Sequence, residues 1–224
     1  MLSMSFFIVP GFENIDHGEV RRILDLVQSV IAFSQGQPLH KKAIGRITKK
    51  LGSRMSGSIL FPGGSSVLFA WRFPIEKIGA VVVKPYYNGT ITRLLIHYFT
   101  QIDYLQTYTD KDFLSPNGKV ILLNIPQVVG FAKIETFNRE FPTLLVEEAL
   151  GESIQANPTL IRQVSEIVRR MALKGLIFDF YPSNWKLHGK KLTYVDLLSS
   201  NKLKNLRERI TQLLEKIESQ TAKM

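Results

Sequence analysis

Three polar side chains near the C-terminal end of the chain have the types and spacing of a site for Mg²⁺ and phosphate. Asp179 is followed by Asn184, and Asp196 comes twelve residues after Asn184. Mg²⁺ binds carboxylate, amide and phosphate oxygens, and it usually takes only one or two carboxylates from the protein. In phosphoryl transfer one Asp orients the nucleophile, while an Asn and another Asp hold the metal. The spacing therefore allows Asp179 to act as the base and Asn184 and Asp196 to hold Mg²⁺.

Each of these residues also has a purely structural interpretation. Asp179 precedes Tyr181-Pro182 and is a residue type that caps turns in loops. Asn184 and Asp196 are also typical polar residues at turns and strand ends. The catalytic interpretation thus depends on the elements that surround the three side chains.

The elements predicted around this motif would bring its parts together. Two short strands, at residues 185–187 and 192–195, flank a turn at His188-Gly189-Lys190. Asn157 and Pro158 are a good N-cap and first residue for a helix that ends near Gly175. A last amphipathic helix is predicted over residues 203–217.

The N-terminal part of the chain predicts a helix followed by an antiparallel sheet. Asp16 begins a capping box for an amphipathic helix that ends near residue 36. From about residue 46 the pattern becomes strand-like, and three strands of a meander are predicted. They cover residues 58–61, 67–73 and 80–84. A helix over residues 90–108 and strands at 128–134 and 143–147 follow.

Several motifs in this order resemble those of the protein-kinase-like fold. Val81-Val82-Val83-Lys84 looks like the strand lysine motif V-A-I-K, and Asp179 to Asn184 resembles the catalytic loop H-R-D-L-x-x-x-N. Asp196 falls where the metal-binding Asp of D-F-G would stand. Residues 125–130 and 144–154 look like the two strands that lead into the kinase hinge. The resemblance covers roughly residues 46–200.

The resemblance implies an α+β, two-lobed fold, with an antiparallel-sheet N-lobe and a small, mostly helical C-lobe. The expected organisation is an N-terminal helical extension at 1–45, an N-lobe-like sheet with one helix at 46–148, and a reduced C-lobe at 149–224. It also implies ATP and Mg²⁺ as cofactors. The phosphate acceptor, a protein or a small molecule, stays open.

The resemblance assigns roles to further residues. Lys84 would bind the α- and β-phosphates, with Asp103 as its acidic partner on the following helix. Gly63 and Gly64 would bring backbone N–H groups towards a phosphate. Glu147 and Ala149 would belong to the linker whose backbone hydrogen-bonds adenine.

Departures from the kinase motifs support an alternative, a pseudokinase that binds nucleotide or acts as a scaffold without turnover. Phe178, and no histidine, precedes Asp179, and Asp196 is followed by Leu197-Leu198 in place of Phe-Gly. The helix after Lys84 contains no glutamate.

Composition adds a third possibility. The 224 residues carry a net charge of +10 and no cysteine, which excludes disulfides and thiolate metal sites. Residues 40–54 contain six Lys or Arg and no acid, so a nucleic-acid-associated protein is the second alternative.

No apolar run is long enough to span a membrane, and the N-terminus makes a poor signal peptide, so a cytoplasmic location without membrane association is expected.

Overall fold

The computed structural model describes residues 3–64, 66–87, 90–107, 122–173, 175–179, 181–197, 199–200 and 205–221. Five α-helices lie in this part of the chain: α1 (His17–Phe33), α2 (Lys41–Leu51), α3 (Ile91–Thr107), α4 (Pro158–Leu173) and α5 (Leu206–Thr221). The strands are β1 (Ser3–Ile8), β2 (Ile59–Pro62), β3 (Phe69–Ile75), β4 (Gly79–Pro85), β5 (Leu122–Asn124), β6 (Val128–Thr136), β7 (Arg139–Glu147), β8 (Glu152–Ser153), β9 (Leu176–Ile177), β10 (Trp185–His188), β11 (Lys191–Tyr194) and β12 (Ser199–Ser200).

The chain divides into two compact units. The first contains the described residues up to Leu94, the β6–β7 hairpin through Glu148, and the end of α5 from Leu214. The second contains the described residues of 95–127 and Ala149–Leu213. The α+β class expected from the sequence is confirmed. The kinase-like, two-lobed arrangement stays a prediction.

The first unit is built on a six-stranded antiparallel sheet with the order β1-β6-β7-β4-β3-β2. Strands β2, β3 and β4 form the predicted meander. Strand β1 was not predicted from the sequence, and it pairs with β6 from Ser3↔Glu135 to Ile8↔Gly130. A pairing between residues this far apart leaves no local signal in the sequence.

Helices α1 and α2 cover one face of this sheet. Asp16 is the N-cap of α1 as predicted, and its carboxylate accepts a hydrogen bond from the Gly18 N–H at 2.7 Å. The apolar residues of α1 are spaced three and four apart and are buried in the core that also contains Trp71 and Phe141 of the sheet. They are Val20, Ile23, Leu24, Val27, Val30 and Ile31.

Helix α2 replaces the strand-like structure expected from about residue 46. Ile44, Ile47 and Leu51 are spaced three and four residues apart, and they pack against the same core. Spacing of this kind suits a helix with one buried side. The apolar pattern of α2 is short and is interrupted by lysines, so this helix was not predicted from the sequence.

The second unit has its own core and two small sheets. One sheet has the order β5-β11-β10-β8, and the other contains β9 and β12. Helix α4 begins as predicted, with the Asn157 side chain accepting a hydrogen bond from the Leu160 N–H at 3.0 Å. Its buried residues Val164, Ile167 and Met171 pack with the aromatic residues of the β10–β11 hairpin.

Several predicted boundaries lie outside the described residues. These are the end of α3 at Tyr108, the start of the last helix at Leu203, and two positions of the loops around the acids, Phe180 and Leu198. No helix among the described residues is long and apolar enough to span a membrane.

A glycine substitution tests the pairing of β1 with β6. A Cβ atom added at Gly130 would lie 2.6 Å from the backbone oxygen of Phe7, so Gly130→Ala should push β1 away and lower the free energy of unfolding by about 1–3 kcal/mol. Gly45→Ala in α2 is the matched control, because its added Cβ meets nothing within 4 Å. The control should be neutral or more stable by up to about 1 kcal/mol. Denaturant unfolding measures both, and equal stability of the two variants would contradict the pairing.

Candidate functional site

The β10–β11 hairpin determines where the candidate metal-binding residues lie. The two strands pair antiparallel from Trp185↔Tyr194 to His188↔Lys191, and Gly189 in the turn has φ +58°. Glycine adopts this left-handed conformation without steric conflict. The register therefore places the residues before β10 and after β11 side by side at the open end of the hairpin.

Asn184 and Asp196 meet at this open end. The Val195 N–H donates to the backbone oxygen of Asn184 at 2.9 Å, which extends the hairpin pairing by one bond. The Nδ2 group of Asn184 donates to Oδ2 of Asp196 at 3.0 Å, and Oδ1 of Asp196 accepts from the Leu197 N–H at 2.8 Å. The structure thus brings together the two residues predicted to hold Mg²⁺.

Asp179 is anchored through its backbone. Its N–H donates to the Tyr194 hydroxyl at 3.0 Å, and its carbonyl oxygen accepts from Nε1 of Trp185 at 3.2 Å. The Asp179 side chain is exposed and makes no hydrogen bond or ion pair with a described residue. A fixed backbone and an unpaired carboxylate are what a general base requires.

The Tyr194 hydroxyl connects the two loops that carry the acids. It accepts from the Asp179 N–H and donates to the Leu197 carbonyl oxygen at 3.3 Å. Burial raises the pKa of Tyr194 above its ordinary value, and the charges of Asp196 and Asp179 raise the pKa further, against the opposite effect of the Asp179 N–H. The phenol therefore stays neutral at physiological pH and keeps the proton that it donates to Leu197.

A cluster of three aromatic rings supports this hydroxyl. Trp185 and Tyr194 are fully buried, and the Phe178 ring lies 5.0 Å from the Tyr194 ring and 5.6 Å from the Trp185 ring, between centroids. Both Trp185 and Tyr194 belong to the core of the second unit, and their contacts with the Asp179 backbone were not predicted from the sequence. Phe178, the departure from the kinase motif, belongs to the same apolar cluster.

Strands β9 and β12 tie the two loops together a second time. Ser199 pairs with Ile177 and Ser200 with Leu176, so the chain after Asp196 returns to the strand that leads into Asp179. Asp179 and Asp196 are consequently held between two backbone pairings, the β9–β12 pair on one side and the β10–β11 hairpin on the other.

The donor set at the hairpin end suits Mg²⁺ held jointly with phosphate. Oδ2 of Asp196 and Oδ1 of Asn184 are hard oxygen ligands, and Mg²⁺ is usually bound by one or two carboxylates together with substrate phosphates. Oδ1 of Asn184 has no hydrogen-bond partner among the described residues. Within the described ranges, no group of three or more His, Cys, Asp or Glu side chains is arranged to hold a metal ion.

Lys84 lies in the first unit, near the end of β4. It pairs with Leu144 of β7, and its side chain is half-buried. Because strand side chains alternate, Lys84 is on the face opposite Val81 and Val83, away from the core that α1 and α2 cover. Its predicted contact with phosphate stays a prediction.

The N–H groups of Gly63 and Gly64 are both used inside the protein. Gly63 donates to the Leu39 carbonyl oxygen at 2.9 Å, and Gly64 donates to that of Val67 at 3.0 Å. A Cβ atom at Gly63 would lie 2.3 Å from the Leu68 oxygen, so this glycine is required by close backbone packing. A phosphate would have to displace these hydrogen bonds to use the two amides as the resemblance suggests.

Asp103 is part of an ion pair within the second unit. Its two carboxylate oxygens accept from both terminal nitrogens of Arg209 at 3.0 Å each. The Arg209 guanidinium also lies over the Phe99 ring, 4.4 Å from its centroid. This bidentate pair joins α3 to α5, and the sequence shows no sign of it because 106 residues separate the partners.

The predicted adenine linker begins at the end of β7. Glu147 pairs with Val81, and the Glu148 side chain forms an ion pair with Arg72 at 2.7 Å. The Ala149 carbonyl oxygen accepts from Nζ of Lys186 at 3.0 Å, a contact that sequence analysis did not identify.

Comparison with models of known protein families and with curated proteins gives no match to this chain.

Replacing Tyr194 tests the anchoring of the two loops. Tyr194→Phe removes the acceptor for Asp179 and the donor for Leu197, so it should lower the free energy of unfolding at pH 7 by about 1–3 kcal/mol. Because the folded protein raises the pKa of Tyr194, its contribution is complete below pH of about 10 and is lost as the pH rises further. The difference between wild type and Tyr194→Phe should therefore shrink above that pH.

Denaturant unfolding at neutral and alkaline pH measures this difference. Tyr181→Phe is the control, since Tyr181 is two residues after Asp179 in the sequence but is 67% exposed, and loss of its hydroxyl should change stability by less than about 0.5 kcal/mol. Equal effects of the two substitutions would show that the Tyr194 hydroxyl does not hold the loops.

Proposed function

We propose that the chain is a Mg²⁺-dependent phosphotransferase that uses ATP. The observation that carries this proposal is the pair formed by Asn184 and Asp196, joined at 3.0 Å and held beside the loop that presents an exposed Asp179 carboxylate. Two metal-suited oxygen ligands and one unpaired carboxylate are the parts that phosphoryl transfer needs.

Each residue has a distinct role in this proposal. Asp196 and Asn184 hold Mg²⁺, which when bound would neutralise the charge of the phosphate oxygens. Asp179 orients the acceptor hydroxyl and takes its proton as the hydroxyl oxygen bonds to the γ-phosphorus of ATP, while the bond to the β–γ bridging oxygen breaks and ADP leaves. Positioning of this kind contributes most of the catalysis in phosphoryl transfer.

The anchored backbone of Asp179 supports its role. A carboxylate that must orient a hydroxyl needs a backbone that does not move during the reaction. The Asp179 backbone is bonded to Tyr194 and Trp185, and both rings are fully buried. The roles of Lys84, Glu147 and Ala149 towards phosphate and adenine rest on the kinase resemblance alone and stay predictions.

Substituting the two acids tests the proposal. Asp179→Asn should lower the rate of ADP formation from ATP and Mg²⁺ at least about 100-fold, the usual effect of removing a general base. Asp196→Asn should also abolish turnover, because it removes the negative charge that binds the metal. Both substitutions keep the side-chain shape, so thermal unfolding should show folded proteins.

Asp25→Asn is the matched control, since Asp25 is an exposed acid on α1 in the other unit, and it should keep wild-type turnover. Wild-type turnover in Asp179→Asn and Asp196→Asn would contradict the assignment. A wild-type protein whose melting temperature rises with ATP only when Mg²⁺ is present, but which forms no ADP, would instead support the pseudokinase alternative.

A further inference from the structure

Helix α2 has two chemically distinct sides. Ala43, Ile44, Ile47 and Leu51 pack against the core of the first unit, and Ile47 is only 2% exposed. The apolar side of the helix is therefore occupied by the protein itself. The opposite side is in contact with solvent.

The solvent side of α2 is almost entirely cationic. Seven residues of the helix are exposed, and five of them are Lys or Arg: Lys41, Lys42, Arg46, Lys49 and Lys50. The other two are Gly45 and Thr48, which are small. Arg54 is also exposed in the turn that follows. We call these five cations and Arg54 the basic face.

No cation of the basic face forms an ion pair with a described residue. Cations elsewhere in the protein do: Arg72 pairs with Glu148, and Arg209 pairs with Asp103. The positive charge of the basic face is thus not neutralised within the described part of the chain.

Part of the charge on α2 opposes helix formation, although Lys49 and Lys50 in the last turn suit the helix dipole. Lys41 and Lys42 lie in the first turn, where the helix dipole favours acids, and no acid is present there. Lys42, Arg46 and Lys50 follow one another at intervals of four residues, which places like charges side by side. The helix forms because its apolar side is packed, and a bound polyanion would relieve the repulsion.

We propose that the basic face binds the phosphate backbone of a double-stranded nucleic acid. Residues 41–50 span roughly 14 Å of helix at 1.5 Å per residue. A duplex carries one negative charge for every 1.7 Å or so of its axis with both strands counted, so about eight phosphate charges lie along the same length of axis, and only some of them face α2. Gly45 and Thr48 leave room for a backbone to approach between the cations.

Two features favour a duplex over other polyanions. Proteins that bind single strands stack successive bases on several aromatic side chains, and residues 38–55 contain no Phe, Tyr or Trp. The exposed Phe33 ring lies next to the basic face, but Nζ of Lys50 lies over it at 5.1 Å from the centroid, and one ring makes no platform for successive bases. Helices that bind a lipid surface insert their apolar side into the membrane, and that side of α2 is buried in the protein. Because phosphate contacts carry no sequence information, the binding does not depend on base sequence.

The test is binding of the full chain to a fluorescent 20-base-pair duplex of mixed sequence, as DNA and as RNA, across a series of salt concentrations. Lys42→Glu with Arg46→Glu should weaken binding at least about tenfold at 100 mM salt. The slope of log K against log salt should become shallower by about 1.8, which corresponds to two lost phosphate contacts at about 0.9 each. Lys42→Gln with Arg46→Gln should also weaken duplex binding and make the salt slope shallower. This variant should melt at a slightly higher temperature at low salt, because it removes like charges that lie side by side on α2.

Lys190→Glu with Lys191→Glu is the control, since it makes the same change of net charge at two exposed lysines of the β10–β11 hairpin. This variant should bind within about twofold of wild type. Equal weakening of the control and the α2 variants would overturn the proposal, as would the absence of duplex binding by wild type at 50 mM salt. Binding through α2 to vesicles of phosphatidylserine and phosphatidylcholine, without duplex binding, would overturn it in favour of a membrane.

Discussion

The buried hydroxyl of Tyr194 fixes the relative position of the two loops that carry the candidate site. It accepts a hydrogen bond from the Asp179 backbone and donates one to Leu197, directly after Asp196. The surrounding Phe178 and Trp185 rings bury the phenol, and this burial raises the pKa of Tyr194 above its ordinary value. Together with the Trp185–Asp179 hydrogen bond and the β9–β12 pairing, this link gives Asp179 a fixed position relative to the Asn184–Asp196 pair.

The β10–β11 hairpin brings Asn184 and Asp196 into contact although they are well separated in the sequence. Twelve residues separate Asn184 from Asp196, and the register of β10 and β11 turns this separation into a hydrogen bond of 3.0 Å. The hairpin is predicted from its two short strands and central turn, and Asn184 and Asp196 are predicted from residue type and spacing. Their binding of Mg²⁺ stays a prediction. The function of Tyr194 was missed because a buried tyrosine in a strand has the same pattern whether its hydroxyl is a structural link or only part of the core.

The sequence predicts local structure well and long-range pairing poorly. Helices α1 and α4 have strong caps and clear apolar periodicity, so both start where Asp16 and Asn157 indicate. Strand β1 depends on β6, more than 120 positions away (Ser3↔Glu135), and the Asp103–Arg209 ion pair joins residues 106 apart. The hydrogen bonds of Gly63 and Gly64 likewise require carbonyl oxygens that the turn motif does not specify. The two glycines predicted phosphate binding at this turn. The structure gives another reason for Gly63, because a Cβ atom there would collide with the backbone of Leu68.

The most direct test of the central claim is to locate the metal. Mn²⁺ can replace Mg²⁺, and its unpaired electrons broaden the NMR signals of nearby nuclei. With Mn²⁺ and a non-hydrolysable ATP analogue, we expect the side-chain amide of Asn184 and the backbone amides of Val195 and Leu197 to broaden first, and those of Gly189 and Lys190 at the closed end of the β10–β11 hairpin to broaden less at the same concentration. Asp196→Asn should remove this selective broadening. Broadening that is uniform, or centred away from the open end of the β10–β11 hairpin, would contradict the account.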